Sequence, residues 1–373
     1  MSNVVHLNVP SRTQRESDRH IALLRSFAQE RRFGDDVFWL KENAELLNIL
    51  ECSGVNLSPE VLTTYDGFYA QIEKRLGFFP QYYRFLLSIC LDLEDLGMPG
   101  GKAAALVNWA CDQGLAQAEI SDLQRAEARR LMLRRGCDPM AEDPGLEDRL
   151  RAFVSRPLSF AIPNKKAAYE LTHTVFYLSE YGRKDPDLGA KIGQSLDFTG
   201  TLAFLDLNAD LLAEVCIAMR YAGITPPEIW EGWLARHTGG FSFDEGETIS
   251  VHDDYHEFFV CNWLMGLSGR DAFAMPFVPE RMSFSSPYTG AAPLRGMSET
   301  LFSCDTRRDD WGTMRHQIAD ALSEESHDIL IQAEAASQDF DGFFAGFARA
   351  GLRAPVAGSV QSGKQVGIRG QGL

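Results

Sequence analysis

The chain predicts an all-α protein, either an α/α toroid or a compact array of antiparallel helical hairpins. Three observations lead there. Glycine recurs just past periodic apolar segments, at Gly34, Gly54, Gly77, Gly97, Gly114, Gly136, Gly182, Gly223 and Gly266, the position where a helix stop favours a residue without a Cβ. Capping signals complement these stops: Ser58-Pro59, Asp143-Pro144 and Asp185-Pro186 each set a capping oxygen before a first-turn proline, and Thr225 with Glu228 completes a capping box. Strand-like alternation rich in valine, isoleucine and threonine is almost missing.

Taken in order, the first helix spans 16–32, where Ile21, Leu24, Phe27 and Ala28 form one apolar stripe and Arg19, Arg25, Glu30 and Arg31 lie off it. Helices at 36–52, 59–76, 80–96, 100–114 and 119–135 follow, most of them closing on one of the glycines. The stretch 144–154 opens after Asp143-Pro144. Further helices are expected at 164–181, 186–203, 208–222, 226–237 and 251–266, then at 307–322, whose polar start is Asp305 to Asp310, and at 325–350. A short hairpin is expected only between Phe241 and Val251. Two segments read as irregular: Gly136 to Asn164, a boundary between an N-terminal half (1–150) and a C-terminal half (160–350), and Gly266 to Gly296, long enough to act as a lid or binding loop. The glycine-rich tail 353–373 reads as disordered.

Composition narrows the function classes. Lysine plus arginine number 36 against 52 aspartate plus glutamate, a net charge of −16, which argues against a general nucleic-acid or anionic-membrane binder. No apolar run approaches the ~18 residues needed to cross a bilayer, and the N-terminus carries no secretory signal pattern. The seven cysteines are scattered singly with no CxxC, so neither a disulfide framework nor a cysteine zinc site is expected, and the chain reads as cytoplasmic. Gly97 to Lys102 lacks the spacing of a phosphate loop. Arg125, Arg129, Arg130, Arg134 and Arg135 make a basic stripe, read as a solvated face pairing with acidic neighbours. Trp230 and Trp233 read as core anchors.

The chemistry concentrates in three helices that are apolar nearly all round yet carry ionisable residues. Ala168 to Leu178 places Glu170, His173 and Tyr177 on one stripe; Leu211 to Met219 has Glu214 as its sole polar side chain; His252 to Met265 sets Asp253 three residues before His256. A buried carboxylate costs several kcal/mol, roughly, unless it is paired, coordinated or protonated, so these groups need partners. Glu-x-x-His and Asp-x-x-His each present two ligands on one helical face. Dinuclear sites in helical bundles use such pairs, and with Glu214 the set Glu170, His173, Glu214, Asp253 and His256 would suit a divalent metal, iron, manganese or zinc. The alternatives are a metal-free pocket in which His173, His256 and Tyr177 act as catalytic acid–base groups, or a buried hydrogen-bond network that only fixes helix register.

Glu170-Leu-Thr-His173 with Phe176-Tyr177-Leu178, then Asp210-Leu-Leu-Ala-Glu214, then Tyr255-His256, resembles an uncharacterised family of all-helical bacterial proteins described as a domain of unknown function. The resemblance covers about 165–265 and directs attention to that block without supplying a reaction. The functional expectation is an enzyme of small-molecule or peptide-tailoring chemistry acting in a polar cavity. Its rival is a non-catalytic helical scaffold that binds a protein partner.

Overall fold

A computed structural model describes residues 15–351 apart from 33, 35 and 56. The tail expected at 353–373 lies outside the described residues. The first helix, α1 (Glu16–Arg25), has Glu16 and Asp18 in its first turn and Arg25 in its last, the arrangement that suits the helix dipole. It runs on into a π-helical turn over Ser26–Glu30, closed by the Arg31 amide on the Ser26 carbonyl at 2.9 Å. Next comes α2 (Val37–Cys52), capped by the Asp36 carboxylate at 2.7 Å from the Phe38 amide. The single helix expected at 59–76 is instead α3 (Pro59–Leu62) and α4 (Asp66–Phe78), separated by a 3-10 turn at Thr63–Tyr65. α5 (Tyr83–Asp95), α6 (Lys102–Asp112) and α7 (Asp122–Leu133) complete the early part of the chain.

After α8 (Leu146–Val154) and the short α9 (Pro157–Phe160), the chain enters α10 (Lys165–Leu178), α11 (Ile192–Leu205) and α12 (Ala209–Tyr221). Asn164 and Asn208 cap α10 and α12, accepting from the Ala167 and Leu211 amides at 3.2 and 3.0 Å. α13 (Glu228–Gly239), α14 (Tyr255–Leu267), α15 (Pro293–Ser303), α16 (Trp311–Asp320), α17 (Glu324–Ala336) and α18 (Phe340–Ala348) follow. The all-α class therefore holds. α12 lies innermost, packed by α10, α11, α13 and α14, while α2 packs on α5 and touches α14. No helix among the described residues is long and apolar enough to cross a membrane.

Further expectations need correction. The hairpin at 241–251 does not form locally. Its first part is a strand, β1 (Ser242–Glu245), but the partner is β2 (Met282–Ser285), antiparallel with Phe243 opposite Phe284. The reason is apolar burial: the Phe243 and Phe284 rings lie 5.0 Å apart, and Phe284 also packs on Phe258 of α14 at 5.0 Å. The irregular stretch 266–296 thus contains a strand and the start of α15. The helix expected at 325–350 breaks between α17 and α18, because buried Asp197 draws off the Ser337 hydroxyl at 2.8 Å and the Gln338 amide at 3.0 Å. Lastly, Cys111 of α6 meets Cys137, four residues past the end of α7, as a disulfide, a single pair and not a framework, and their spacing gave no sign of it.

The basic stripe pairs with acidic neighbours as expected, with one exception. Arg129 meets Asp138 and Glu147 at 2.8 and 2.7 Å, Arg134 meets Asp92 and Asp95 at 2.7 Å each, and Arg135 meets Asp95 at 2.8 Å. Arg130 is buried and makes no such pair among the described residues. Trp230 is a core anchor with no exposed surface.

Candidate active site

Four helices bring a polar cluster together: α10, α12 and α14 from the later chain and α2 from the early chain. Asp210 sits in the first turn of α12, where the helix dipole favours a carboxylate. Its Oδ1 lies 2.6 Å from His256 Nδ1, and its Oδ2 accepts from the Tyr169 hydroxyl at 2.5 Å. His256 is in the first turn of α14, so two helix starts face one another across this contact. On its other side, His256 Nε2 lies 4.0 Å from Glu45 Oε1 of α2, beyond hydrogen-bond reach. Glu45 is itself held by the Tyr255 hydroxyl at 2.9 Å. The His256 ring keeps a third of its side-chain surface exposed (33 %), so Nε2 is the open corner of the cluster.

One turn deeper lies Glu214, with 3 % of its side chain exposed. The Thr172 hydroxyl donates to its Oε2, and His173 Nδ1 approaches the same oxygen at 3.5 Å. His173 Nδ1 is also 2.8 Å from the Tyr169 carbonyl. A carbonyl oxygen only accepts, so Nδ1 carries the hydrogen. Further along α14, Glu257 binds His237 of α13 at 2.7 Å.

Electrostatics give these groups different states. Burial pulls the His256 imidazole down, but the hydrogen bond and charge of Asp210, with Glu45 and Glu214 behind it, outweigh that and raise it to about 10. At neutral pH it is an imidazolium. Burial pushes Asp210 up, yet the His256 hydrogen bond and charge and the Tyr169 hydroxyl hold it below the usual carboxylate range. Glu214 goes the other way: burial dominates and raises it, with His173 only partly opposing.

The sequence-derived candidates divide. His173, Glu214 and His256 belong to this cluster. Tyr177 stands on the far side of His173, ring centroids 5.8 Å apart, and lines a separate pocket beside Arg130. Glu170 is half-buried and lies 3.9 Å from Lys166, outside the cluster. Asp253 is turned away altogether, bound to buried Arg31 at 2.9 and 3.0 Å and to the Phe284 amide at 2.8 Å. Among the described residues, no group of three or more His, Cys, Asp or Glu is placed to hold a metal ion, so the five-ligand metal set is not assembled. The Asp-x-x-His spacing misleads because Arg31, more than two hundred residues away in sequence, takes the aspartate first.

Four residues of the cluster were not among the site candidates read from the sequence, although Asp210 and Tyr255 stand in the motifs that carry the family resemblance. Asp210 offered a signal, an acidic residue just after a helix cap, and Tyr169 and Tyr255 offered only their place beside the candidates. Glu45 offered none, being brought in solely by the packing of α2 on α14.

A family model described as "Domain of unknown function (DUF6902)" matches residues 1–350. The chain belongs to this family. The match reaches far outside the 165–265 block, so α2 with Glu45 falls within the family as fully as α10, α12 and α14 do. No curated protein and no solved structure matches the chain.

Proposed function

We propose that the protein is an enzyme acting on a small polar molecule or a peptide, and that His256 supplies acid–base chemistry in the cluster between α2, α10, α12 and α14. One observation carries the reading. His256 is fixed through Nδ1 by Asp210, while its Nε2–H has no hydrogen-bond partner among the described residues and stands at the open corner. An imidazole oriented by a carboxylate on one nitrogen and free on the other is the arrangement a general acid needs. With its pKa near 10 the group is protonated at neutral pH. Its role is then to donate a proton, or a strong hydrogen bond, to an oxygen that gains negative charge in the reaction. Asp210 balances the imidazolium, and Tyr169 locks the carboxylate in place.

The second reading, a scaffold for a protein partner, draws on the same contacts, since they tie four helices together and would fix their register. The two part company on substitution. Wild-type protein, His256→Asn and Asp210→Asn are incubated with a defined panel of metabolites and dipeptides, and mass spectrometry follows consumption. The enzyme reading expects turnover by wild type that His256→Asn abolishes while the thermal midpoint stays within a few degrees. A wild type inert toward the panel, with His256→Asn strongly destabilised, would favour the scaffold.

A further inference from the structure

A second polar site, independent of the one above, lies between α7, α8 and the end of α10. Arg130 of α7 is 6 % exposed. Its guanidinium carbon sits 4.5 Å from the centroid of the Tyr181 ring, and its Nε is buried without a hydrogen-bond partner. Every other arginine of the stripe meets a carboxylate within 3.3 Å. Arg130 meets none among the described residues. The nearby carboxylate that feels its charge, Asp92, is already taken by Arg134 at 2.7 Å and by the Ser88 hydroxyl at 3.0 Å. An arginine cannot shed its proton to escape burial, so an uncompensated guanidinium here carries a standing cost that a bound anion would remove.

The pocket beside it fits such an anion. Arg130 and Tyr177 line it, together with the apolar Leu133, Leu146 and Leu178. Its other cations are occupied: Arg129 by Asp138 and Glu147, Lys184 by Glu180 at 2.8 Å. That leaves Arg130 as the one lining cation without a carboxylate partner among the described residues, a single positive charge that a monoanion would match. The cavity is about 20 Å³, against roughly 10–15 Å³ for one water. Only the head group of a ligand fits inside, and Leu133, Leu146 and Leu178 around it favour an anion that carries a carbon chain, a carboxylate, over an inorganic one.

We propose that this pocket binds the carboxylate group of a small molecule, with Arg130 as its charge partner and the leucines against its carbon chain. The test uses the full chain, acetate as the probe and inorganic phosphate as the comparison, with chloride holding ionic strength constant. Arginine-selective NMR of wild type should show a saturable shift of the Arg130 Nε–H signal with acetate and none with phosphate. Arg130→Met should weaken acetate binding by about tenfold or more, since a charge-assisted hydrogen bond is lost. The ligand-free Arg130→Met protein should be no less stable than wild type. An Arg130 signal unmoved by acetate, or moved more by phosphate, would overturn the proposal, and because wild type supplies that reading it stands even should the variant fail to fold.

Discussion

At the scale of single residues, the decisive contacts are those between charges taken out of water. His256 shows how such a contact couples to pH. Its folded pKa, about 10, lies above the value near 6.5 of an unfolded histidine. The stabilisation from its charge is therefore fully present below about pH 6.5, declines as the unfolded chain loses its proton first, and is gone once pH passes 10. Thermal midpoints measured from pH 6 to 10.5 should fall more steeply for wild type than for Asp210→Asn, in which the partner charge is missing. Equal slopes would mean that the imidazole titrates normally. Arg31 gives a second case. Wholly buried, it is bound by Glu42 and Asp253 and packed against the rings of Phe27, Tyr255 and Phe284. Asp253→Ala should cost about 2–4 kcal/mol in chemical denaturation, because it removes two of the hydrogen bonds that hold the buried guanidinium and leaves Glu42 as its sole carboxylate partner among the described residues. It should leave the His256 titration unchanged; a shifted titration would place Asp253 in the cluster after all.

At the scale of elements, close approach decides which helices can pair. Gly200 in α11 faces Trp230 of α13, and a Cβ at that position would come within 2.4 Å of the indole ring. Because Trp230 is fully buried and cannot swing aside, Gly200→Ala should destabilise the fold by about 1–3 kcal/mol through overpacking, read from the urea midpoint. A neutral outcome would show that the α11–α13 contact yields. Gly182 works differently: its φ of 83° turns the chain after α10, and a side chain there would strike the Tyr221 ring at 2.5 Å.

Helices such as α2, α12 and α14 were legible because a dense run of apolar residues is a local property, whereas the capping oxygens read at Ser58, Asp143, Asp185 and Thr225 do not cap the helices that form. β1 was half legible. Its alternation marks a strand, but the choice of β2 over a nearer neighbour rests on the packing of Phe243, Phe258 and Phe284, which no local pattern encodes. The break between α17 and α18 escaped for the same reason, since Asp197 acts from 140 residues away. In the candidate site, His173, Glu214 and His256 stood out as ionisable groups on apolar helices. Asp253 matched that pattern equally well and belongs to Arg31, and Glu45 matched nothing.

At the scale of the whole molecule, the strongest ties join distant parts of the chain. Arg31 reaches Asp253, the Tyr255 hydroxyl reaches Glu45 at 2.9 Å, and Arg183 reaches Glu51 at 2.6 Å. α7 and α8 also pack on α10. With so many links between early and late segments, neither is expected to melt first. Heating should give a single transition, with tryptophan fluorescence and far-ultraviolet circular dichroism coinciding and the calorimetric and van't Hoff enthalpies equal. Two separated transitions would mean that the links break before either part unfolds.

The pairing of β1 with β2 has a mechanical consequence. It runs from Ser242↔Ser285 to Glu245↔Met282 and closes the intervening chain, α14 included, into a loop. Tension drawn through the backbone on either side would enter at Ser242 and leave at Ser285, loading the last rung of the ladder first. The strands would then peel apart one rung at a time, and only afterwards would the pull travel along the segment that carries His256.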